Sequence, residues 1–153
     1  MIKYSDVYVQ TVARGLCHPG EQFVAACAGS YKSFWSLGIP FFRHAFLLIA
    51  TSERLLVVDH RKGLIYDRMD RIDSYPWSDL GTVKLGGVFS KKIVVKDTAN
   101  RAVLKVKVPG FLGPVANNGG AARALVQTWE QRRALGAAPA RAALPRQAFV
   151  ATA

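Results

Sequence analysis

Cysteine, acidic residues and long apolar runs are all scarce in this sequence, and each scarcity closes off a class of protein. There are two cysteines in 153 residues, Cys17 and Cys27. Their separation fits no disulfide framework, zinc ligand set or redox motif, so both are expected as free thiols in a reducing compartment. The longest apolar runs, near Ala45–Ala50 and Leu55–Val58, fall far short of the roughly 20 residues that a membrane-spanning helix requires. The opening stretch MIKYSDVYVQ has no apolar core behind its lysine. That argues against a secretion signal and for a cytoplasmic protein, membrane-peripheral at most. Asp and Glu number 10 against 21 Lys and Arg, a formal charge of +11. The imbalance favours polyanionic surfaces, nucleic acid or anionic lipid, without specifying a fold.

What is present is enough for one domain that buries its own core: half of the residues are hydrophobic and 20% are charged,. Ser5 or Asp6 can cap a first helix in which Val9, Val12, Ala13 and Leu16 recur at the spacing of one buried face, and Pro19-Gly20 ends it,. From Phe23 the pattern changes to short apolar or alternating runs between turn residues, which reads as antiparallel strands. Strands are predicted near Gln22–Ser30, His44–Ala50, Arg54–His60, Leu64–Met69, Ile72–Trp77, Leu80–Gly86, Lys91–Asp97 and Ala102–Val108. Short polar connections such as 51–53, 61–63 and 98–101 suit a meander. Turn residues thicken from Pro109 to Gly120, and then Ala122, Leu125, Val126 and Trp129 form one stripe of a helix near Ala121–Leu135,. Trp129 at the centre of that stripe is predicted to plug an open end of the sheet. The chain therefore divides into an N-terminal helix and lead-in (1–20), a β-domain with its C-terminal helix (21–135), and an Ala/Pro-rich tail (136–153) read as flexible or as an extended docking strip.

Three short motifs, in order, resemble the bacterial pleckstrin-homology-like domains, which are also similar to GRAM domains. They are Leu16-Cys17-His18-Pro19-Gly20-Glu21, then Ala50-Thr51-Ser52-Glu53-Arg54-Leu55-Leu56-Val57-Val58, then Tyr75-Pro76-Trp77-Ser78-Asp79-Leu80 with Val83, Leu85, Gly86-Gly87 and Lys91-Lys92-Ile93-Val94-Val95 behind it. The resemblance covers about Leu16 to Leu135. It implies a seven-stranded, strongly bent antiparallel barrel of two near-orthogonal sheets, closed at one end by the C-terminal helix. In the eukaryotic relatives the first hairpin binds inositol phosphates through basic residues, and Lys32, Arg43 and His44 occupy roughly those places.

Two surfaces stand out. Between the first two strands, Tyr31, Lys32, Phe34, Trp35, Phe41, Phe42 and Arg43 make an aromatic, basic segment broken by Gly38 and Pro40. It reads as a loop folded over the barrel mouth, as a self-association surface, or as a membrane-dipping loop. The second surface comes from strand alternation. If Val83, Leu85, Ile93, Val95, Leu104, Val106 and Val108 point inward, then Lys84, Lys92, Lys96, Lys105 and Lys107 share one outer face. That face is either a solvated surface that discourages edge pairing or an electrostatic platform.

Catalytic chemistry has little to stand on. Cys17 and His18 are neighbours in sequence, which does not set a thiol against an imidazole. His18, His44 and His60 lack ligand spacing, and Asp67, Asp70 and Asp73 interleave with Arg68 and Arg71 as charge pairs do, so no metal is expected. Gly86-Gly87 and Gly119-Gly120 lack the strand–loop–helix context of a nucleotide site, so no cofactor is expected either. The expectation is a non-enzymatic binding or scaffolding module working through protein contacts or self-assembly. Peripheral binding to anionic membranes is the alternative, and non-specific nucleic-acid binding the third reading.

Overall fold

A computed structural model describes residues 5–31, 44–62, 67–87, 91–109 and 117–137. The elements are α1 (Asp6–Leu16), β1 (Phe23–Tyr31), β2 (His44–Thr51), β3 (Arg54–Lys62), β4 (Asp67–Pro76), a 3-10 turn (Trp77–Asp79), β5 (Leu80–Gly86), β6 (Lys91–Asp97), β7 (Ala102–Val108) and α2 (Asn118–Ala137). The strands are antiparallel and form one seven-stranded sheet in the order β4-β3-β2-β1-β7-β6-β5. The expected two sheets are thus halves of a single open sheet, with β4 and β5 as its edges.

The halves join through one registered pair, Ser30 with Lys107. Behind that pair the strands diverge, and a side chain fills the gap. Asn118 Oδ1 accepts from the Ala28 N–H at 2.7 Å, while its Nδ2 donates to the Ala28 and Pro109 carbonyls, each at 2.9 Å. The amide thus imitates the missing strand, satisfying backbone groups that burial would otherwise leave unpaired. α2 begins at Asn118, ahead of the predicted Ala121, with the Gly120 and Ala121 N–H groups bound to the Asn117 carbonyl.

Two cores lie on opposite faces of the sheet. On the inner face, Cys27, Leu48, Leu55, Val57, Val83, Ile93, Val95, Val106 and Val108 pack against Ala122, Leu125 and Trp129 of α2. Trp129 is 6% exposed and its indole donates to the Leu80 carbonyl at 3.0 Å, so it plugs the sheet as the sequence predicts. On the outer face, Val9 and Ala13 of α1, with Val12 and Leu16 at the margin, cover Ala26, Ala28, Leu47, Ile49, Leu56 and Val58. Ser5 caps α1, its side chain accepting from the Tyr8 N–H. Burial on both faces explains why β2 and β3 are unbroken apolar runs.

One expectation is corrected. The predicted strands Leu64–Met69 and Ile72–Trp77 are a single strand, β4, because no turn forms at Asp70-Arg71. A bulge there absorbs one residue: Met69 pairs with His60 and Arg71 with Asp59, leaving Asp70 between them,. Trp77 starts the 3-10 turn instead. Among the described residues no helix is long and apolar enough to cross a membrane.

Candidate functional site

The alternation of β5, β6 and β7 is as the sequence predicts. Val83, Ile93, Val95, Val106 and Val108 are buried, and Leu85 and Leu104 pack at the edge of the core. Lys84, Lys105 and Lys107 are exposed, and Lys92 and Lys96 half-buried, on the other face. Register brings them together. Lys92 stands opposite Lys107, and Val94 sits between Lys84 on one side and Lys105 on the other. Partial desolvation, then the ammonium groups of Lys105 and Lys107, hold Lys92 below its ordinary pKa. Like charges set opposite one another on neighbouring strands repel, so the face carries an unfavourable term that a bound anion would relieve.

Little in the three strands neutralises them. Their one acid, Asp97, is engaged by Arg101 at 2.7 Å. Lys96 turns toward that end of the sheet, donating to Asn100 Oδ1 at 2.9 Å. Among the described residues Lys84, Lys92, Lys105 and Lys107 have no ion-pair partner. α1 lies over β1–β3 and α2 over the inner face, so among the described residues neither helix covers this lysine face.

Of the aromatic segment, Lys32, Phe34, Trp35, Phe41, Phe42 and Arg43 lie outside the described residues. Tyr31 is described only as the last residue of β1, paired with His44.

The three motifs behind the family resemblance meet at one place, where side-chain hydrogen bonds join them. Pro19-Gly20 turns the chain, with Gly20 at φ 86° and Glu21 N–H donating to the His18 carbonyl,. Glu21 then lies fully enclosed against Arg54, whose side chain is 16% exposed. Its carboxylate accepts from Arg54 Nε and one terminal guanidinium nitrogen, both at 2.9 Å, from the His18 N–H at 2.8 Å, and from the Thr51 hydroxyl. Arg54 also donates to the Leu16 carbonyl at the end of α1 and to Ser74 of β4. Trp77 closes the knot, its indole donating to the Thr51 carbonyl at 3.0 Å. The hydrogen bonds from Arg54 above all hold Glu21 down at about 2, against an ordinary value of 4.5. Sequence reading missed this ion pair, since 33 positions separate its members.

The thiols are not activated. Burial pushes Cys27 up to about 12, and burial followed by the Glu21 charge raises Cys17. Both are protonated at neutral pH, the opposite of what a nucleophile needs. Arg71 and Asp73 form an ion pair at 2.6 Å, consistent with the charge-pair reading of β4.

No protein-family model matches the chain, and no curated protein matches it. Among solved structures it is similar to the hSac2 domain from human phosphoinositide phosphatase Sac2, with TM-score 0.54 and 10% identity over 88% of this chain and 87% of that one. It is also similar to the C-terminal domain of an unknown protein from Leishmania infantum, with TM-score 0.47 and 15% identity over 72% of this chain and 86% of that one. At 10% identity the first likeness extends to the fold alone. The chain is thus a mainly β domain, one bent antiparallel sheet with α1 before it and α2 after it, similar in fold to a solved domain of comparable length.

Proposed function

We propose that the chain is a non-enzymatic, pleckstrin-homology-like binding module that docks on an anionic membrane surface through the outer face of β5–β7. The observation that carries this reading is the lysine array itself: Lys84, Lys92, Lys105 and Lys107 on one uncovered sheet face, two of them directly opposed, with the only acid of those strands engaged elsewhere. Ammonium groups held together on neighbouring strands repel, and an anionic surface relieves that repulsion; juxtamembrane lysines contribute about 1 kcal/mol each at an anionic bilayer.

Chain connectivity adds support. The ends of β1 and β2 at Tyr31–His44, of β3 and β4 at Lys62–Asp67, and of β6 and β7 at Lys91–Val108 all lie at one end of the sheet. Segments 32–43, 63–66, 88–90 and 110–116 join strands or lead to α2 there, and their sequences hold Trp35 and five of the eight phenylalanines. Trp and Phe in the sequence of segments that connect strands of a basic sheet suit a headgroup-level contact. The opposite end has polar turns. Nucleic acid is the weaker partner because the face carries no aromatic side chain among its described residues on which bases could stack.

The test is co-sedimentation of the whole chain with vesicles of phosphatidylserine and phosphatidylcholine, set against phosphatidylcholine alone. Binding should require phosphatidylserine, weaken steeply with salt, and fall at least tenfold when Lys84, Lys92 and Lys105 become Glu. The competing reading, self-assembly through segment 31–43, predicts instead that Trp35→Ser with Phe41→Ser changes the mass seen by light scattering. A wild-type chain that ignores phosphatidylserine vesicles at low salt refutes membrane docking.

A further inference from the structure

At the opposite end of the sheet from Lys92 and Lys107, the turns 52–53, 77–81 and 98 and the last turns of α2 line an open cleft of about 800 Å³. That is the size of a site for an organic ligand, larger than a lone ion needs. Its polarity follows from which hydrogen-bonding groups are already engaged. The backbone N–H groups of Ser52, Trp77 and Thr98 are bound to the Gln22, Glu53 and Asp79 carbonyls. Leu80 N–H is bound to the Trp77 carbonyl, the Trp77 indole to Thr51, and the Ser78 hydroxyl to Asp79. The charged groups on the cleft are the exposed guanidiniums of Arg132 and Arg133 and the exposed carboxylate of Glu53, whose charge also acts on Arg54. Among the described residues none of the three has an ion-pair partner.

Arg133 is also pre-positioned. Its guanidinium lies 5.4 Å from the centroid of the Trp129 ring, and that ring is fixed by burial and by its bond to Leu80. A stacked guanidinium keeps its edge free and gives up less freedom when it binds an oxyanion. Two guanidiniums from a helix and one carboxylate from a turn define a complementary ligand, with an acceptor-rich dianion at one end and a cation at the other.

We propose that this cleft binds a small amino phosphomonoester of the phosphoethanolamine class, its phosphate held by Arg132 and Arg133 and its ammonium by Glu53. The site is independent of the lysine face, and its occupancy does not depend on membrane docking.

Titration of the full chain with phosphoethanolamine, followed by amide NMR shifts and calorimetry, tests it against inorganic phosphate. Saturable shifts should centre on Glu53, Gly81, Thr98 and Arg132. Arg132→Gln should weaken phosphoethanolamine about tenfold or more, the usual loss of a charge-assisted hydrogen bond. Glu53→Gln should weaken phosphoethanolamine but leave inorganic phosphate unchanged or tighter, which a merely structural role for Glu53 would not produce. Lys84→Gln with Lys105→Gln should change neither. Absence of saturation at millimolar phosphoethanolamine, an unchanged affinity in Arg132→Gln, an equal effect of Glu53→Gln on both ligands, or loss of binding in the lysine variant each overturns the proposal. Thermal melts of every variant without ligand separate lost binding from lost fold.

Discussion

Replacing Arg54 with Met should be among the most damaging single changes outside the two cores. At neutral pH the Glu21 carboxylate is charged and its side chain has no exposure to solvent, so it depends on donors from the protein. Arg54 supplies two of them, and the same guanidinium ties α1 to β4. Removing it leaves a buried, uncompensated charge, a loss of about 3–5 kcal/mol. Protonation gives a loss of the same order. The carboxyl titrates at about 2 in the fold against 4.5 ordinarily, and that difference corresponds to about 3 kcal/mol. Because the folded value is depressed, this stabilisation is fully present above pH 4.5 and is lost as pH falls toward 2,. Urea unfolding of wild type, Arg54→Met, Glu21→Gln and the double variant at pH 7 should give a coupling energy of about 2 kcal/mol or more. The stability gap between wild type and Glu21→Gln should close on acidification to pH 2. An Arg54→Met loss under 1 kcal/mol, zero coupling, or a gap that does not vary with pH refutes the reasoning.

Trp129→Ala should cost about 3–5 kcal/mol in the same urea assay, since it removes the plug of the inner core and leaves a cavity between α2 and β5. Asn118→Ala should cost about 1–3 kcal/mol by orphaning the Ala28 N–H and carbonyl, and amide exchange at Ala28 should accelerate well beyond that at Leu48, whose backbone lies within the sheet. With its thiol pushed up to about 12, Cys27 should resist a disulfide reagent at pH 8 until the protein unfolds. Rapid labelling of Cys27 in the native state would contradict its burial.

Much of the architecture is written in local periodicity. The stripe of Val9 and Ala13 sets the buried face of α1, the alternation in β5–β7 sends valines inward and lysines outward, and the spacing around Trp129 makes α2 a cap. Each follows from the pleat of a strand or the turn of a helix, which every residue feels through its neighbours in sequence. What the sequence could not settle depends on elements brought together from afar. That β2 and β3 are covered on both faces follows from α1 and α2 packing on opposite sides. That Asp70 is a bulge and not a turn follows from β3 continuing alongside it. Asn118 was legible as turn chemistry, but its use as a substitute strand arises only because β1 and β7 part at Ala28. Glu21 and Arg54, and likewise Glu53 with Arg132 and Arg133, share an environment only once the sheet and α2 are in place. Hydrogen bonds and charges act through space over a few ångströms, so their partners are chosen by the tertiary fold.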